Sequence, residues 1–309
     1  MRRENNRENN RPDGRREKEK EIKQERKREW NTRKENEQEQ KFDTRIKMKK
    51  ERERDREERE ADSDGMIEGR NAVLEAIRAG ANLDKIYLQK GLNDDKALGK
   101  IASTARAAGA VVVDADKRKL DAMSRTHAHQ GVIAFMAARA YADVDELFRR
   151  AELRNEAPLF VICDELSDPR NLGAVIRTAE CAGAHGVIIP KRRSAGLTSV
   201  TAKASAGAIA HLPVARVANI PILLSDLKKR GLWIFGADVS GDTDLYHADL
   251  KLPAAIVIGN EGRGMTPLAA KRCDFLVKIP MLGRLNSLNA SAAAAVMLYE
   301  AVRQRHAQI

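Results

Sequence analysis

A doubly wound α/β fold is predicted for the larger part of this chain, and three observations predict it. Six short, largely apolar runs follow Pro158: "LFVICDE" (159–165), "GVIIP" (186–190), "LPVARV" (212–217), "LWIFGAD" (232–238), "AAIVIGN" (254–260) and "FLVKIP" (275–280). Runs that are apolar on successive residues suit strands of a mostly parallel sheet covered on both faces. Helical stretches fill the gaps between them, which is the βα alternation of a parallel sheet. The third observation is a break in composition near residue 65. The first 60 residues hold 23 Lys/Arg and 18 Asp/Glu, with only Met1, Ile22, Trp30, Phe42, Ile46 and Met48 large and apolar. Such a segment cannot bury enough surface to offset its ordering entropy, so the fold starts after it.

Taken in order, residues 1–65 are a charged, low-complexity extension. Opposite charges at i, i+4 support a solvated single helix, whereas patches such as "ENNRENN" favour coil. The segment reads either as a solubilising extension or as an arm that grips RNA without sequence preference. Residues 66–140 form a small α/β domain. "GRNAVLEAIRAG" (69–80) is a helix between glycines, "LDKIYLQ" (83–89) a strand, 94–109 a long helix, "AVVVDA" (110–115) a strand, 116–124 a helix and "GVIAFMA" (131–137) a strand. Residues 141–157 are polar and read as a linker carrying a short helix. Residues 158–309 hold the doubly wound domain, closed by the helix "LNASAAAAVMLYEAVRQR".

The bulk composition narrows the function. The net charge is +11, shared between the extension and the folded part, which favours a polyanionic partner, nucleic acid before membrane. Cys163, Cys181 and Cys273 are sparse and lack metal spacing, as do the six histidines, so reduced thiols in the cytoplasm and no metal are expected. The N-terminus lacks the apolar stretch of a signal peptide, and no run approaches the ~18 apolar residues of a membrane-spanning helix.

In doubly wound sheets ligands sit at the carboxyl ends of the strands, and three clusters fall there. "DPRNLGAVIRTAECAG" (168–183) has a buried helical face at Leu172, Val175, Ile176 and Ala179, yet Arg170, Asn171 and Arg177 crowd its first two turns. "IGNEGRGM" (258–265) packs three glycines after a strand, the pattern of a backbone that approaches a ligand closely or of a tight turn. It is neither a G-x-G-x-x-G fingerprint nor a phosphate-binding P-loop. Glu261 within it could be an N-cap carboxylate. In "IPMLGRLNSLNASAA" (279–293), Asn286, Ser287 and Asn289 open an Ala-rich helix, as caps do.

Together these clusters resemble a known family. "DPRNLGAVIRTA", "PKRRSAGLTSVTAKASAGA", "IVIGNEGRGM" and "IPMLGRLNSLNASAAAA" are similar to the SpoU (TrmH-type) branch of the SPOUT RNA methyltransferases, nearest the bacterial 23S rRNA guanosine-2'-O-methyltransferases. "IEGRNAVLEAI" and "HQGVIA" resemble that group's small substrate-binding domain, which is like ribosomal protein L30e. The resemblance covers roughly 66–309 and leaves out the extension.

The resemblance implies a deep trefoil knot, a topology that periodicity alone would not suggest because knots are nearly absent from proteins. It implies S-adenosylmethionine held in that knot by Gly236, Gly259, Asn260, Gly262, Ile279, Met281 and Leu288, with main-chain contacts from Gly259, Ile279 and Leu288. It implies catalytic positions at Asn171, Arg177, Glu261, Ser287 and Asn289. Arg177 would meet the ribose and its phosphate, Asn171 would orient it, and Ser287 and Asn289 would hold the hydroxyl or support the loop. Guanidinium keeps its proton in proteins, so Arg177 is expected to act as a charge rather than a base. The structural alternative for Arg177 is an ion pair with Glu180 or Glu261. Arg170, Lys191, Arg192, Arg193 and Lys203 are expected along the RNA path, and with aromatics at 4% the grip is by shape and phosphate more than by stacking. A homodimer with a shared active site, acting on 23S rRNA, follows from the resemblance. The alternatives are a tRNA 2'-O-methyltransferase and a non-catalytic ribosome assembly factor.

Overall fold

The computed structural model describes residues 65–91 and 95–306; the expectations for the charged extension lie outside them. The small lobe is a four-stranded sheet in the order β1-β4-β2-β3. β1 (Met66–Glu68) runs antiparallel to β4 (Val132–Met136), β4 antiparallel to β2 (Leu83–Gln89), and β2 parallel to β3 (Val111–Ala115). Helices α1 (Arg70–Arg78) and α2 (Lys96–Ala107) cover one face through Val73, Ile77, Leu98 and Ile101. Asp95 opens α2 by accepting from the Ala97 and Leu98 amides. The short α3 (Lys117–Met123) covers the other face with Leu120. β1 gave no signal in the sequence, because three residues are too few to show a period.

Next comes α4 (Val144–Arg154), in the stretch that reads as a linker. It buries Leu147, Phe148 and Ala151, and the Phe148 ring meets Phe160 edge-on with centroids 4.9 Å apart. The segment is thus part of the layer covering the large sheet.

The large sheet has seven strands: β5 (Leu159–Cys163), β6 (Gly186–Pro190), β7 (Val214–Val217), β8 (Trp233–Ala237), β9 (Thr243–Asp244), β10 (Ala254–Ile258) and β11 (Phe275–Lys278). Their order is β7-β6-β5-β10-β8-β11-β9, with every pairing parallel. All six apolar runs are strands, and the reason is visible in the burial. Leu159, Val161 and Cys163 enter one core while Phe160 and Ile162 enter the other, so neither face tolerates a polar residue. α5 (Pro169–Cys181), α6 (Ser199–Ala204) and the terminal α9 (Ala290–Arg305) cover the first face. α4, α7 (Ile220–Lys229) and α8 (Pro267–Ala270) cover the second.

α5 starts at Asp168, whose carboxylate accepts from the Arg170 amide, with Pro169 preset for the first turn. Its four expected core residues, Leu172, Val175, Ile176 and Ala179, are fully buried, and each of the larger three contributes roughly 1.5–3 kcal/mol. α9 carries small residues because it lies close on the sheet, with Ala290, Ala294, Met297, Leu298 and Ala301 inward. Arg305 fastens its end by donating to the carbonyls of Ala157, Pro158, Leu250 and Leu252.

The lobes meet through a buried ion pair. Asp84 of β2 accepts from Arg216 Nη1 of β7 at 2.7 Å, and both side chains are buried. Tyr141 donates its hydroxyl to the same carboxylate oxygen, accepts from the Leu197 amide at 2.9 Å, and lies with its ring 3.9 Å from the Arg216 guanidinium. Arg216 Nη2 donates to the Gly109 carbonyl at 2.8 Å. Buried charges persist only when paired and hydrogen-bonded in this way.

His185 sits ahead of β6, fully buried. The Leu159 amide donates to its Nδ1 at 3.0 Å, leaving the proton on Nε2, 3.0 Å from Glu156. Burial, opposed by Glu156, holds this imidazole below its ordinary value of 6.5. The unfolded chain therefore binds the extra proton first, and stability is lost as pH falls below that value. Urea unfolding at pH 7.5 and 5.5 is expected to show a lower midpoint at 5.5, with the difference reduced in His185→Gln.

Candidate active site

Three loops leave the carboxyl ends of neighbouring strands. The loop after β10 turns back at once: the Asn260 amide donates to the Gly264 carbonyl at 3.0 Å, and the Gly264 amide donates to Asn260 at 2.8 Å. Gly259 makes that turn possible, since a Cβ there would stand 2.2 Å from Gly264 C and Met265 N. The turn is tied down from β5. Asp164, buried at the strand end, accepts from the Thr266 amide at 2.7 Å, and Asn260 Nδ2 donates to the Glu165 carbonyl at 3.2 Å.

A cavity of about 410 Å³ opens between this turn, the end of β8 and the 279–293 segment, within the roughly 300–1,000 Å³ usual for small-molecule sites. Gly259, Asn260, Gly262, Ile279, Met281 and Leu288, expected to hold a cofactor, line it, as do Glu261 and Ser287. Gly236 does not. It lies within β8, where a Cβ would come 2.7 Å from both Cys273 Sγ and Met265 Cε. Its smallness serves packing behind the cavity. Asp238 and Val239, which sequence reading missed, also stand in the wall, as does Asn286, which it read only as part of a helix entrance. The position of Asp238 at the carboxyl end of "LWIFGAD" was the available signal.

At the rim, residues far apart in sequence join in one hydrogen-bonded chain. Asn289 caps α9, its Oδ1 accepting from the Ser291 and Ala292 amides. That fixes its amide orientation, so Nδ2 donates to Asn171 Oδ1 at 3.1 Å. Asn171, with its oxygen engaged, donates through Nδ2 to Glu261 Oε1. Glu261 is therefore no helix cap; it is the acceptor that ends a polarised chain starting at a helix N-terminus.

Arg177 stands apart from this chain. Six residues past Asn171 on α5, it is about 9 Å farther along the axis and turned from it by roughly 120°. It is exposed, absent from the cavity wall, and pairs with neither Glu180 nor Glu261 nor any other described residue. Of the expected RNA contacts, Lys191, Arg192 and Lys203 are exposed, Arg170 is half-buried, and Arg193 is engaged by Glu165 at 2.9 Å. Among the described residues no group of three His, Cys, Asp or Glu is arranged to hold a metal, and no helix is long and apolar enough to cross a membrane.

Residues 158–299 match the SpoU rRNA methylase family, and residues 66–142 match the RNA 2'-O ribose methyltransferase substrate-binding domain. YacO of Bacillus subtilis (strain 168), assigned to the TrmH family of tRNA/rRNA methyltransferases, is 46% identical over 77% of this chain and 95% of its own length. The chain belongs to the SpoU methylase family. It is an RNA ribose-2'-O-methyltransferase. A TrmH-family relative from Staphylococcus haemolyticus (strain JCSC1435) is 45% identical over 79% of this methylase and 97% of its own length. Among solved structures, the SpoU methyltransferase AviRb from Streptomyces viridochromogenes, in complex with the cofactor AdoMet, superposes with a TM-score of 0.51. It is 27% identical to this methylase, over 78% of this chain and 90% of its own. The SpoU match begins one residue before β5 and runs into α9, so it contains all three loops of the rim and cavity.

Proposed function

We propose that this methylase transfers the methyl group of S-adenosylmethionine to the 2'-hydroxyl of a guanosine in 23S rRNA, as a homodimer whose knotted domains share the active site. The observation that carries the reading is the Asn289–Asn171–Glu261 chain at the rim of the cavity. It places a carboxylate and an ordered amide where a reacting group would meet a ligand bound below.

The cavity fits the cofactor. Gly259 and the 260–264 turn form one wall, and Ile279, Met281 and Leu288 give apolar walls for the adenine ring. S-adenosylmethionine supplies an electrophilic methyl on a sulfonium. The chain's own residues do the rest. The Asn289 amide is spent on the helix and on Asn171, so its role is support. Glu261 Oε2 has no described partner and is free to accept from the ribose hydroxyl, while exposed Ser287, in the wall of the same cavity, orients that hydroxyl. Positioning of this kind supplies much of the rate in a transfer that lacks a strong nucleophile. Arg177 neutralises the phosphate next to the reacting ribose.

Dimerisation brings Arg177 of one protomer to the cavity of the other, which accounts for its distance from Asn171 within one chain. An apolar loop beside the cavity supports such an interface, with Leu282 and Leu285 99% and 78% exposed; large apolar side chains so placed mark association sites. The knot reading draws on strand order. The chain lays β10 between β5 and β8, crosses to put β11 outside β8, and returns through α9 to α5.

Mapping ribose methylation across rRNA and tRNA in a deletion strain tests the substrate. Loss at a single 23S guanosine is the expected result. Loss confined to tRNA would move the enzyme to that substrate, and failure of the purified protein to bind S-adenosylmethionine would leave only an assembly factor.

A further inference from the structure

A second basic site lies between the lobes, away from the methyl-transfer cavity. Arg106, in the last turn of α2, and Lys191 and Arg192, directly after β6, line one crevice of about 240 Å³ floored by the start of β3. No carboxylate lines it. All three side chains are exposed, and none makes a hydrogen bond or ion pair with a described residue. Elsewhere cations of this protein find partners, as Arg193 does with Glu165 and Arg70 with Asp95. Three unpaired cations around one small volume repel one another, and an anion between them relieves that repulsion.

The walls are held in place. Gly109, itself part of the crevice, accepts from Arg216 Nη2, and Arg216 is bound to Asp84 in the lobe junction. The wall from the small lobe and the wall from the large lobe therefore keep a fixed spacing, a preorganised anion seat. The crevice also connects to the reaction site. Arg193 follows the two crevice cations and pairs with Glu165. The Glu165 carbonyl accepts from Asn260, which lines the cavity.

We infer that this crevice seats a backbone phosphate of the RNA substrate where the strand passes from the small lobe to the transfer site, with Arg106 as a contact contributed by the substrate-binding lobe. The inference rests on the RNA methyltransferase reading above. Phosphate contacts of this sort fix register without reading sequence. Two lobes that each lend a cation to one phosphate would measure the spacing between bound RNA and reacting ribose.

The test uses the full-length protein, an unmodified 23S rRNA transcript and, separately, a tRNA transcript pool. Binding is measured against KCl concentration for wild type, for Arg106→Glu/Lys191→Glu/Arg192→Glu, and for a control, Lys229→Glu/Lys251→Glu. The control cations lie at the opposite, amino ends of the strands, ahead of β8 and β10. On whichever RNA the wild type binds, the crevice variant is expected to lower the salt slope by about one per lost contact, with S-adenosylmethionine affinity and melting temperature unchanged. The Arg106→Glu single variant is expected to account for about one such step. A slope equal to that of the control overturns the inference. So does binding of inorganic phosphate in the crevice that leaves RNA affinity unchanged at matched ionic strength, which would make the crevice a small-anion site. If wild type transfers methyl groups to RNA while the crevice variant binds as tightly, only the crevice reading falls. If wild type binds and methylates neither RNA, the substrate reading falls first and takes the crevice with it.

Discussion

Arg177→Ala is expected to lower methyl transfer by at least about 100-fold, the scale seen when one preorganised charge-stabilising group is removed from an active site, and to leave S-adenosylmethionine affinity unchanged. The side chain is exposed and has no described partner, and alanine is a stronger helix former, so α5 keeps its fold. Any lost rate then belongs to the reaction with RNA. Arg177→Lys separates two ways of acting: a point charge restores much of the rate, whereas a bidentate fork on ribose and phosphate is not restored. Single-turnover assays with saturating cofactor give the readout, and full activity of Arg177→Ala would remove this residue from the mechanism.

Gly259→Ala is expected to weaken S-adenosylmethionine binding by at least about tenfold, with an overpacking cost of about 1–3 kcal/mol. The added Cβ would meet the backbone of the Gly264–Met265 peptide, at 2.2 Å from Gly264 C and Met265 N and 2.6 Å from Gly264 O. Backbone atoms cannot swing aside, so the 260–264 turn must open and Asn260 must leave Glu165. Calorimetric titration and thermal melting check both effects; unchanged cofactor affinity would mean that the turn is no wall of the cofactor site. Assayed at a cofactor concentration that leaves Gly259→Ala largely unloaded, the two impaired variants also report on the shared site. If Arg177 serves the partner's cavity, mixed dimers of Arg177→Ala and Gly259→Ala hold one intact site, and about a quarter of wild-type activity returns. If each site is built from one chain, none returns.

Six of the seven strands of the large sheet were legible because both faces are buried, which turns each into a largely apolar run. α5 was legible from its helical period and its Asp-Pro start. β1 and β9, three and two residues long, carry no period to read. The stretch holding α4 read as a linker with a short helix because its exposed side is rich in charge; the packing of Leu147 and Phe148 against the large sheet shows what it covers. The polar rim was visible as three clusters at strand ends, but their joining was not. Asn171 lies 90 residues from Glu261 and 118 from Asn289, separations that no local pattern encodes. Gly236 shows the converse: a glycine at a strand end looks the same in sequence whether it faces a ligand or a methionine. Arg216 and Asp84, 132 residues apart, gave no signal at all.

That last pair limits how the protein can be rebuilt. A small lobe grafted from a relative with an apolar residue in place of Asp84 would strand Arg216 without its counter-charge, a defect of about 3–5 kcal/mol, a large share of the folding margin of many domains. Chimeras meant to redirect this enzyme to another RNA must therefore exchange position 84 and position 216 together.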